Sequence, residues 1–97
     1  MGRALEYNLT TLRVSRAYVS LLSRPESGAA ISLAWIGDYE IRMHAAPATG
    51  ASEQPLFIID IFDHDAQLCI DSRACYAVAE GAAAFDEFLR THDKPSV

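Results

Sequence analysis

The residues of this chain best suited to hold an ion or move a proton cluster in one short stretch, Asp60-Ile61-Phe62-Asp63-His64-Asp65, with Asp71 close behind. Carboxylates gathered near a turn suit a hard cation such as Ca²⁺ or Mg²⁺, and His64 would add a ligand for a transition metal. Asp60, Asp63, His64, Asp65 and Asp71 are therefore the candidate metal-binding set. The spacing is not that of an EF-hand, since the turn has no glycine and no closing glutamate. Asp is also a favoured turn residue in its own right, which gives the same residues a purely structural role.

Other pairings are weaker. His44, His64, Cys69 and Cys75 have the right types for zinc, but alternation along a strand sets Cys69 well away from a histidine at the turn. The Cys-x5-Cys spacing matches neither a redox Cys-x-x-Cys nor a zinc knuckle, and free thiols are the expectation in a reducing compartment, although a redox pair is one reading. Ser72 lacks a Gly-x-Ser-x-Gly setting, and no glycine-rich phosphate loop occurs. Asp60 and Asp71 would serve as an acid-base pair only inside a pocket. Trp35, Tyr39, Phe57 and Phe62 could stack on a base or sugar, but only Arg42 lies near them in sequence to meet phosphate.

The elements that would position these residues follow from periodicity. Tyr7, Val14, Tyr18, Leu21 and Leu22 fall near one helical stripe, widened by Leu5, Leu9 and Leu12, and predict a helix from Leu9 to Ser23 that stops ahead of Pro25. Ile31 to His44 alternates with period two. Gly37-Asp38 offers a hairpin turn, but that hairpin would set Trp35 against Glu40 and Leu33 against Arg42, so one long strand is the preferred reading. Ala45 to Pro55 reads as a loop. Leu56 to Asp63 and Gln67 to Ser72 predict two paired strands, with Ile61 opposite Leu68 and Ile59 opposite Ile70. Val78, Ala82, Phe85, Phe88 and Leu89 predict a final helix from about Ala77 to Thr91, where Gly81 marks a close approach to the sheet.

The expected fold is α+β: an N-terminal helix, an antiparallel meander of three to four strands and a C-terminal helix packed on the sheet. Ninety-seven residues suit a single domain, 1–97, with 1–5, 45–55 and 93–97 mobile. Thirteen acidic residues against eight basic give a net charge of −5, which argues against nucleic acid and anionic membranes as partners and favours a basic surface. Neither a membrane span nor a secretory leader is read in the sequence, so a cytoplasmic location is expected.

If the helices cover only one side of the sheet, the other keeps Ile36, Ile58, Phe62 and Cys69 as a semi-apolar surface. The functional expectation is accordingly a small acidic interaction module, of the adaptor, escort or inhibitor type, that needs no cofactor and binds another protein or a second copy of itself through that face or an edge strand. The alternative is a metal-binding domain or metal-dependent enzyme built on the Asp60 to Asp71 hairpin.

Overall fold

The structure is a computed structural model that describes residues 2–23, 30–46 and 54–92, with side chains from residue 9 onward. The order is α1 (Gly2–Ser23), β1 (Ile31–Ile36), β2 (Tyr39–His44), β3 (Phe57–Asp63), β4 (Leu68–Cys75) and α2 (Val78–His92). The four strands form one antiparallel sheet in the order β1-β2-β3-β4, and both helices pack on the same side of it. This is the expected α+β meander. The helix begins at Gly2, earlier than the stripe suggested, while most of the expected 45–55 loop and the 93–97 tail lie outside the described residues.

Burial on the helix side explains why these residues take these elements. Ile41 and Met43 from β2, Phe57, Ile59 and Ile61 from β3, and Cys75 from β4 alternate inward and are fully shielded. Val14 and Ala17 of α1 and Ala82, Phe85 and Phe88 of α2 close over them. Gly81 lets the layers meet: a Cβ there would come within 2.6 Å of the Phe57 ring and 3.1 Å of Val14. Val14 beside Gly81, and Leu9 beside Leu89, mean that α1 and α2 run antiparallel. Glu80, in the first turn of α2, accepts a hydrogen bond from the Tyr76 amide at 2.8 Å, and Arg90 and His92 complement the dipole at the other end.

Two strand readings need correction. Ile31 to His44 is a hairpin, not one long strand, because Gly37 takes φ +59° and closes a two-residue turn. Of the two mismatches that argued against it, the pairing of Leu33 with Arg42 is removed by an irregularity at Leu33, since Ser32 lies opposite Arg42 and Ala34 opposite Ile41, while Trp35 does lie opposite Glu40, on the side away from the helices. The same irregularity reverses the alternation beyond it, so Trp35 faces away from the helices. Ile36, opposite Tyr39, packs against the core instead of joining the surface expected for it.

The β3–β4 register also differs. The turn occupies residues 64–67, with Gln67 at φ 60°, and a second irregularity falls at Ile70. Ile61 therefore lies opposite Asp71 and Ile59 opposite Arg73. Asp71 is moved to the helix side of the sheet, where Arg73 reaches both Asp71 at 3.5 Å and Glu87 of α2 at 2.6 Å. That contact holds the Glu87 carboxyl below the usual range and the Arg73 guanidinium above it.

Candidate functional site

The side of the sheet turned away from the helices is a grid of three rows, and among the described residues no element crosses it. One row reads Trp35, Glu40, Phe62, Cys69 across the strands; the next reads Ser32, Arg42, Asp60, Ser72; the third reads His44, Ile58, Ala74. Charged and aromatic groups dominate the first two rows. The semi-apolar surface expected from the sequence is reduced to Ile58 and Phe62, with Cys69 exposed beside them.

Asp60 is the centre of the grid. Its side chain is buried by its neighbours, the residue being only 5% exposed, and such a charge is tolerated only when paired and hydrogen-bonded. Arg42 supplies a two-pronged contact, with Nε donating to Oδ1 at 3.0 Å and Nη2 to Oδ2 at 3.3 Å. Nε2 of His44 lies 2.9 Å from the same Oδ2. The hydrogen bond to Asp60 raises the Arg42 pKa above its ordinary value, so this cation stays charged throughout the working range. Both oxygens of Asp60 are thus engaged by neighbouring side chains.

A second hydrogen-bonded pair lies at the rim. His64 Nε2 is 2.9 Å from Glu40 Oε1, and the His64 ring is sandwiched between aromatics. Trp35 stacks on it with centroids 4.7 Å apart and an interplanar angle of 27°, while Phe62 meets it edge-on at 4.9 Å. Arg42 then sits over the Phe62 ring, 4.6 Å from its centroid, and joins the two clusters. The backbone strengthens this rim, since the His64 amide donates to the Asp38 carbonyl in the other turn at 3.0 Å.

The candidate metal set does not converge. Asp60 is held by Arg42 and His44, and His64 by Glu40; Asp71 faces the helices. Asp63 Oδ1 accepts hydrogen bonds from the Asp65 and Ala66 amides, which is the turn role that competed with metal binding in the sequence. Among the described residues no group of three or more His, Cys, Asp or Glu side chains is placed to hold a metal ion. The thiols separate too. Cys69 lies on the grid, whereas Cys75 is buried under the helices, where desolvation pushes its pKa up. Six residues of strand put them about 20 Å apart, far beyond disulfide reach.

Glu40, Arg42 and His44 were not singled out as a group in the sequence. The available signal was their i, i+2, i+4 spacing on one strand, which places all three on one side, with Arg42 opposite Asp60 once the register is known. Comparisons with models of protein families, with curated proteins and with solved structures return no match. The functional reading therefore rests on the grid itself. Among the described residues, no helix is long and apolar enough to cross a membrane.

Proposed function

We propose that this chain is a protein-interaction module whose recognition surface is the outward sheet grid, centred on Trp35, Phe62, His64 and Arg42. The observation that carries the reading is Trp35, 55% exposed yet fixed by stacking on His64, which is itself tied to Glu40. An exposed tryptophan held rigid loses little freedom on docking, and tryptophan and arginine are the residue types that dominate binding hot spots. The polar groups around it are paired within the chain, so a partner gains the aromatic contact without leaving buried charge unmatched. The partner is another protein, and the net charge of −5 favours one with a basic surface.

Cys69 provides a direct test because it is exposed on the grid while Cys75 is buried. A benzophenone maleimide attached at Cys69 and irradiated in an extract of the source cells is expected to give a discrete protein adduct. Trp35→Ala and Phe62→Ala should each abolish it without altering the circular dichroism of the chain. Absence of any adduct, or an adduct indifferent to both substitutions, would overturn the reading.

A further inference from the structure

Arginines meet aromatic rings twice within this chain, each time beside a carboxylate. Arg42 lies 4.6 Å from the Phe62 centroid while pairing with Asp60. Arg73 lies 5.4 Å from the Phe88 centroid while pairing with Glu87 at 2.6 Å. Trp35 and Glu40 set the same two groups side by side, directly opposite each other on β1 and β2, and there the ring is open to solvent. His64 stacks on Trp35 and pairs with Glu40 through Oε1, so the other oxygen, Oε2, can accept from a second donor.

The charge around Trp35 is negative. The ends of the two hairpins add Asp38, Asp63 and Asp65 to Glu40, with Asp38 and Asp65 exposed. Asp63 accepts two amide hydrogen bonds, which leave its charge in place. Among the described residues the one guanidinium on this side of the sheet is that of Arg42, committed to Asp60 by both prongs. We infer that the partner contributes an arginine here, its guanidinium laid on the open part of the Trp35 ring and donating to Glu40 Oε2; this rests on the reading of the grid as a recognition surface. Tryptophan is the ring that attracts a cation best, and a planar guanidinium stacks and donates along its edge at once. An ammonium is a point charge with no such plane. An acidic side chain would meet like charge, and the hairpin carboxylates draw a basic segment toward the ring.

Trp35 is the sole tryptophan, so its emission reports on this contact directly. Titrating the full chain with a flexible glycine-serine peptide that carries three arginines should change that emission saturably, and the same peptide with lysines should bind at least fivefold more weakly. Glu40→Gln keeps an acceptor for His64 but removes the charge. It should weaken binding of the arginine peptide at least fivefold with unchanged near-ultraviolet circular dichroism. No saturable change at millimolar peptide, equal affinity for the lysine peptide, or undiminished binding by Glu40→Gln would overturn the arginine assignment. The Cys69 cross-link separates that result from failure of the surface itself. An adduct that depends on Trp35, found with any of those three results, leaves the surface standing and removes the arginine; absence of the adduct removes both.

Discussion

The four strands present two sides that are held together by different forces. Toward the helices, Ile41, Met43, Ile59 and Ile61 pack by shape, and Gly81 is tolerated because Phe57 occupies the space a methyl group would take. Away from them, Arg42 pairs with Asp60 by charge, His44 contacts Asp60 and His64 contacts Glu40 at hydrogen-bond distance, and the rings of Trp35 and Phe62 lie against them. The difference teaches that leaving a sheet side without helices does not make it greasy. Here that side is satisfied polar structure with one tryptophan standing out, and the apolar excess has moved to α1.

If this contrast is right, substitutions on the two sides should differ in size and in kind. The largest effect is expected from Phe57→Ala, which empties a fully buried ring site and should lower unfolding stability by about 3–5 kcal/mol in a urea titration. A loss below about 1 kcal/mol would mean that the helix side is not the core. Asp60→Ala comes next, with an expected loss of about 1–3 kcal/mol, because Arg42 and His44 are left without their acceptor. Adding Arg42→Ala to it should cost less than the sum of the two single changes, and strict additivity would deny the coupling.

Trp35→Ala should cost stability only about 1 kcal/mol or less, since the ring is half in solvent and loses mainly its stack on His64. A thermal melt showing a far larger drop would make Trp35 a structural residue and weaken its assignment to recognition. The subtlest effect concerns pH. Burial raises the Cys75 pKa above its ordinary value of 9.0, so the folded chain keeps this thiol protonated where the unfolded chain ionises it. Stability from this source is complete below about pH 9, declines as pH rises past the unfolded value and is lost once pH passes the folded one. Denaturation curves between pH 8 and 11 should show this decline, and Cys75→Ala should flatten it.

How far the sequence discloses this molecule varies by element. Helix α2 and the inward parity of β3 can be read directly, because Val78 to Leu89 and Phe57 to Ile61 repeat with clear periods. Strand register was not recoverable, since single-residue irregularities at Leu33 and Ile70 shift every pairing beyond them and carry no sequence mark. That hidden shift moved Ile36 inward, turned Trp35 outward and took Asp71 away from Asp60. The candidate site was therefore only half visible. Phe62 and Cys69 stand where alternation puts them, whereas the Arg42–Asp60–His44 cluster emerges only after three strands are aligned. On α1, Val14, Tyr18 and Leu21 of the stripe read from the sequence do meet the core, whereas Leu22, placed in the same stripe, and Leu9 and Leu12, taken to widen it, are exposed.

The hydrogen bond from the His64 amide to the Asp38 carbonyl ties together two turns that are remote in sequence. Because Trp35 and Glu40 flank one turn and contact His64 in the other, the two tips are expected to open and close as a unit in amide hydrogen exchange. A peptide tag spliced into one hairpin end would then loosen its neighbour as well, so the blunt end of this sheet is a poor place for insertions.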